Sequence, residues 1–130
     1  MTLIEALNKP RCRLRRPPFN DDTARICWLM EAATAAVFAV PVDELRAPSR
    51  RAPAVAFARQ CAMYLAHVAL GLRYAEIGRL FRRDRTTAAY ACALVEERRD
   101  DPAIDYMLTT LEGLCGDLAR GILARPQVRP

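Results

Sequence analysis

The chain has 130 residues, 52% of them hydrophobic and 27% charged, with a formal net charge of +5 and a sequence pI ≈ 9.3. That length suffices for one domain with its own core, and the balance of apolar and charged residues excludes a disordered chain. A basic domain of this size points to a polyanionic partner, either nucleic acid or an acidic membrane surface.

Residues 1–20 read as a basic arm. A short apolar turn (Leu3, Ile4, Leu7) gives way to Arg11-Cys-Arg-Leu-Arg-Arg16-Pro-Pro, which holds four arginines and no acid. The paired prolines stop any helix there. Arginines before any apolar run argue against a secretory signal, so the expected compartment is a reducing cytoplasm, in association with the nucleoid. Asp21 and Asp22 then offer an N-cap for a helix to about Val40, with Ile26, Leu29, Met30, Ala33, Val37 and Val40 as its apolar stripe. Pro41 ends it. The apolar stretch around Ala32–Val42 is too short to span a bilayer. Val42–Pro53 reads as a connector carrying Arg46, Arg50 and Arg51.

A long helix is expected from Pro53 to about Leu70. Val55, Ala58, Ala62, Leu65 and Ala69 line one face, and Arg59, Gln60, Met63 and His67 lie on the others. Proline suits the first helical position, and Gly71 supplies the stop. A short helix near Tyr74–Phe81 follows, then the tight turn Arg82-Arg83-Asp84. The next helix, from about Arg85 to Arg99, has an expected buried face of Thr87, Tyr90, Ala91, Leu94 and Val95. Asp100-Asp101-Pro102 starts a last helix to about Leu123, striped by Ile104, Met107, Leu108, Leu111, Leu114, Cys115 and Leu118, with a tail over 125–130. No stretch alternates with period two, and no internal repeat is visible. The expected fold is all-α: a compact bundle of about five helices, with residues 21–124 as one domain.

Five scattered cysteines without a Cys-x-x-Cys pair argue against a disulfide framework and against zinc. His67 is the only histidine, and no Ser or Cys stands at a nucleophile spacing beside it. No enzyme, metal or cofactor is expected.

Charge singles out one pair of helices. The windows 46–59 and 79–85 hold eight arginines against the single acid Asp84, whereas residues 96–105 hold five acids and only Arg98 and Arg99. Positive charge thus gathers where the Arg85 helix begins, and negative charge where it ends. A helix meeting DNA by its N-terminal end needs that polarity. Arg85 has the fork for guanine, and Asp84 the acceptor for a cytosine amino group. Thr86 and Thr87 have hydroxyls for phosphate and methyls for thymine. The plainer alternative is that Asp84 or Thr86 simply caps the helix.

Residues 51–97 resemble the C-terminal DNA-binding domain of the bacterial replication initiator DnaA. The resemblance is carried by Ala58-Arg-Gln-Cys-Ala-Met-Tyr-Leu-Ala66, by Ala75-Glu-Ile-Gly-Arg-Leu-Phe81 and by Asp84-Arg-Thr-Thr87. It implies an embedded helix-turn-helix, of the type shared with the Trp repressor, and double-stranded DNA as the partner. By this resemblance, Arg51, with Arg50 beside it, enters the minor groove, and Arg59 and Gln60 contact backbone and bases near it. Taken with the charge pattern, the reading has Arg59, Arg82 and Arg83 gripping phosphates, and the helix from Arg85 in the major groove with Asp84, Arg85, Thr86, Thr87 and Ala89 toward DNA. The chain departs from the family in three places: Arg85 replaces a histidine, Arg82-Arg83 replaces two glycines and an arginine, and Ala88-Ala89-Tyr90 replaces Val-Leu-His. The initiator's phosphate loop would need a Gly-Lys step, which does not occur in these 130 residues. The expected role is sequence-specific DNA binding in transcription or replication control. The alternative is a replication or phage interaction module, and either allows a homodimer or a replication-protein partner.

Overall fold

The computed structural model describes residues 22–47 and 53–124, with side chains described as far as Gly121. Six helices form: α1 (Asp22–Phe38), α2 (Val42–Arg46), α3 (Pro53–Val68), α4 (Tyr74–Phe81), α5 (Arg85–Arg98) and α6 (Pro102–Ala124). No strand occurs among the described residues. The fold is the expected all-α bundle with an embedded helix-turn-helix. The arm over 1–20, Arg50 and Arg51 of the connector, and the tail 125–130 lie outside the described residues.

Two boundaries show how local sequence is overruled. α1 ends at Phe38 because Ala39 turns left-handed (φ 55°), and the Val40 amide donates back to the Ala35 carbonyl at 3.0 Å. That closure satisfies a carbonyl at the helix end ahead of Pro41. The connector is not featureless, since its first part winds into the short α2, whose Leu45 is fully buried. Five residues cannot hold a helix alone. α2 exists because neighbouring side chains bind its end.

α3 is the axle of the bundle and packs against each of the other five helices. Residues 58–66 are buried at every position but Gln60, so Arg59 and Met63, expected on outer faces, are inside. A helix enclosed on all sides loses its stripe. Small side chains (Ala58, Cys61, Ala62, Ala66) let the neighbours approach closely, and Met63, Tyr64 and Leu65 fill the larger gaps. The buried face of α1 is Ile26, Cys27, Met30, Glu31, Thr34 and Ala35, while Val37 is exposed. On α6, Leu108, Leu111 and Cys115 are buried and Leu114 is exposed. Cys27, Cys61, Cys92 and Cys115 are buried. Burial pushes the Cys61 thiol up to about 12, and those of Cys92 and Cys115 to about 11, so they stay protonated and pack as small apolar groups.

The α4–α5 turn is the tightest joint. α4 opens with the Arg73 amide donating to Glu76 Oε1 at 3.0 Å, and closes with Arg82 in the left-handed region (φ 57°, ψ 44°). The Arg83 amide returns to the Gly78 carbonyl at 2.8 Å. This folds the turn onto Gly78 so closely that a Cβ there would stand 2.6 Å from the Arg83 carbonyl oxygen. Gly78→Ala should therefore force the turn open and lower stability by roughly 1–3 kcal/mol in urea unfolding. An unchanged midpoint would mean that the approach is looser than described.

Candidate nucleic-acid interface

α5 is set by its buried face and by its cap. Ala88, Ala91, Cys92 and Val95 turn inward, and Asp84 caps the N-terminus. One Asp84 oxygen accepts from the Thr87 amide (3.0 Å), from Thr86 Oγ1 (2.5 Å) and from Thr87 Oγ1 (3.2 Å). These bonds, led by the Thr86 hydroxyl and the Thr87 amide, hold the Asp84 carboxyl below its usual 3.8. The plainer reading of Asp84 is thus the one realised, and both threonine hydroxyls donate inward to it. Thr86 remains exposed, while Thr87 and Ala89 are half-buried.

Tyr90 departs from its expected place. It is 67% exposed on the outward side of α5, and Ala88 takes the inward position. Counting Ala88 and Cys92 as core residues would have exposed the error, because each stands two residues, about 200° around the helix, from Tyr90.

The arginines divide into two groups. Arg79, Arg82 and Arg85 are exposed around the turn, and neither Arg82 nor Arg85 has a side-chain partner among the described residues. Arg59 and Arg83 instead are 6% and 8% exposed. Arg59 donates from Nε to the Leu45 carbonyl (2.8 Å) and from Nη2 to those of Glu44 (3.0 Å) and Ala47 (3.3 Å). Arg83 donates from Nη1 to the Phe81 carbonyl (2.9 Å) and from Nη2 to Ala47 (2.8 Å). Both residues, expected to contact the DNA backbone, are thus turned inward onto the α2 end in this structure. The last carbonyls of α2 lack intrahelical donors, and the two guanidinium groups supply them from α3 and from the turn. Arg59 and Arg83 thereby hold Ala47, the residue that leads into 48–52, against the helix-turn-helix.

A third arginine braces the same corner. Arg46 forks onto Glu31 of α1 (2.6 and 2.5 Å) and lies over the Phe81 ring at 5.6 Å. Burial raises the Glu31 carboxyl above its usual 4.5, and Arg46 pulls in the opposite direction. Sequence reading missed Glu31, placing it outside the apolar stripe. Gln60 is half-buried on α3 beside this corner.

At the far end of α5 the charges are of opposite sign and are tied down. Arg99 bonds Asp105 (2.6 Å), Glu112, Thr109 (2.8 Å) and the Tyr64 hydroxyl (3.1 Å), and Tyr64 donates to Glu96 (2.5 Å). Glu97, Asp100 and Asp101 stay exposed. His67 binds the Leu72 carbonyl through Nδ1 (2.9 Å) and stacks on Tyr74, a packing role at the α3–α4 junction.

Comparison with known proteins agrees with this geometry. The family described as the bacterial DnaA protein helix-turn-helix matches residues 29–95, just over half of the chain. The chain belongs to that family. The match begins within α1 and ends near the end of α5, so it includes the braced corner and the helix-turn-helix. Similar relatives are the chromosomal replication initiator protein DnaA of Clavibacter sepedonicus and that of Clavibacter michiganensis subsp. michiganensis, each 48% identical over 71 residues. The DnaA of Mycobacteroides abscessus is 47% identical over 60 residues. About half of this chain is covered in each case (51%, 51% and 46%), but the matches span only 15%, 15% and 12% of those relatives. The chain carries a DnaA-type DNA-binding domain, and no described helix is long and apolar enough to cross a membrane.

Two outcomes follow. Arg59→Ala should leave the Leu45 carbonyl without its side-chain donor and weaken the α2 end, at a cost of about 1–3 kcal/mol of stability, read by thermal or urea unfolding without DNA present. A fully stable variant would return Arg59 to the DNA-contact group. Asp84 is held below its ordinary pKa, so its capping contribution is complete above pH ~3.8 and fades as pH falls through its lower folded value. Asp84→Ala should cost about 1 kcal/mol at neutral pH and remove that acid-side dependence.

Proposed function

We propose that the chain is a sequence-specific reader of double-stranded DNA, acting as a transcription regulator or as a competitor for initiator sites that tunes replication. The observation that carries this reading is the charge polarity of α5. Exposed Arg82 and Arg85 stand at its N-terminal end without side-chain partners among the described residues, and exposed acids stand at its other end. α5 enters the major groove by its first turn, with Arg85 forked onto a guanine edge and Thr86 and Ala89 beside it. Arg82 grips a phosphate. Arg50 and Arg51 follow closely on the clamped Ala47, and the family resemblance supports their reaching the minor groove.

Arg82 sharpens the proposal. An arginine in the left-handed region is strained, and a glycine there would not be. A cation at a strained position, with no side-chain partner among the described residues, fits a residue that serves an external anion. The second reading, an interaction module, draws on exposed Trp28 on α1 and Tyr106 on α6. These are single residues rather than a stripe, and scattered surface apolar side chains are ordinary.

Fluorescence anisotropy on a duplex holding a DnaA box and on a scrambled duplex, at two salt concentrations, tests the reading. Tighter binding to the box makes the chain a reader of initiator sites. Equal, salt-sensitive binding to both gives it another target, and no binding at low salt defeats the proposal. Arg82→Gly should raise stability by about 1 kcal/mol yet weaken DNA binding and lower the salt slope by roughly one. Unchanged affinity and slope would remove Arg82 from the interface.

A further inference from the structure

Resting on the duplex-binding reading above, we infer that Tyr90 is a specificity residue whose ring lies against a thymine methyl in the major groove. Three observations converge on it. Tyr90 is 67% exposed, and it is the one large uncharged side chain among the exposed residues of α5. Its flanks are small: Ala89 is half-buried and Ala93 exposed, so the ring stands proud of a low helix surface. It also lies one turn beyond Thr86 on nearly the same face, about 6 Å along the axis.

Charge then limits how far α5 can enter. Glu97 is exposed and falls almost in line with Tyr90 two turns further on, about 10 Å along the helix. A carboxylate in that line is repelled by phosphates, whereas the first turn is drawn in by Arg82 and Arg85. With a groove about 12 Å wide, the Thr86–Tyr90 row fits inside and Glu97 stays at the rim. Tyr90 is the one large apolar ring on the exposed face that enters. The apolar feature that the major groove offers is the thymine methyl.

The test uses the full chain. Its preferred duplex is selected from a random pool, and each thymine is then replaced singly by uracil, which removes only the methyl. Binding is measured by anisotropy for the unaltered protein, Tyr90→Ala and Tyr90→Phe. At one thymine, uracil should weaken the unaltered protein about four-fold, the value of one buried methyl group. Tyr90→Ala should lose that penalty at that position alone, and Tyr90→Phe should retain it. A Tyr90→Ala profile identical to that of the unaltered protein overturns the inference. So does a Tyr90→Phe profile without the penalty, because the hydroxyl would then make the contact. If the unaltered chain enriches no duplex, the inference falls together with the DNA-binding reading, which separates the two failures.

Discussion

The structure depends on one carbonyl group more than on any apolar contact. Ala47 ends the five-residue α2, and its oxygen accepts from Arg59 on α3 and from Arg83 in the helix-turn-helix turn. A guanidinium group withdrawn from water is costly unless its donors are met, and so is an orphan carbonyl at a helix end. Each deficit cures the other here. Arg46 and Glu31 add the same logic on the α1 side, where a fork of two bonds joins a nearly buried carboxylate to a partly exposed cation. Three helices and a turn are thereby locked to the short segment that precedes Arg50 and Arg51.

That lock gives the two ends of α5 different duties. Its C-terminal end is committed to the protein: Arg99 reaches α6 and Tyr64, and Arg98 lies over Phe57, itself edge-on to Phe38 of α1. At its N-terminal end the side-chain bonds among the described residues stay within its own cap, through Asp84, Thr86 and Thr87. Preorganisation of this kind lowers the ordering cost of binding, since the first turn of α5 is already formed and oriented. The small inward side chains Ala88, Ala91 and Cys92 bring α5 close to α3, so the outer residues project from a rigid support.

Much of this was legible in the sequence. Apolar periodicity placed five helices to within a few residues, because each carries a stop such as Pro41, Gly71 or Asp100-Asp101-Pro102. The helix-turn-helix was legible from its residues and its charge. α2 was not, because a five-residue helix among prolines is stabilised by side chains from distant positions. The inward turn of Arg59 had one local signal, its place between Ala58 and Cys61 on a helix with too many small residues to have a wet side. Arg83 had none, since its neighbours Arg82 and Arg85 are exposed and all three look alike in sequence. Tyr90 was misplaced because an aromatic residue was given the core position that an alanine occupies.

The division of arginines changes how affinity losses are to be understood. An interface mapped by alanine substitution alone would assign Arg59 and Arg83 to DNA. Either variant removes donors from the Ala47 carbonyl, so lost affinity there would also report a loosened α2 end. Arg82 and Arg85 are different: both are exposed, with no side-chain partner among the described residues. Under the proposed reading the two effects at Arg82 have opposite signs, because the backbone gains from glycine while the proposed anion contact is lost. Opposite movement of stability and affinity at a single position is a signature that a structural residue does not produce. Position 82 thus separates reading DNA from holding the reader together.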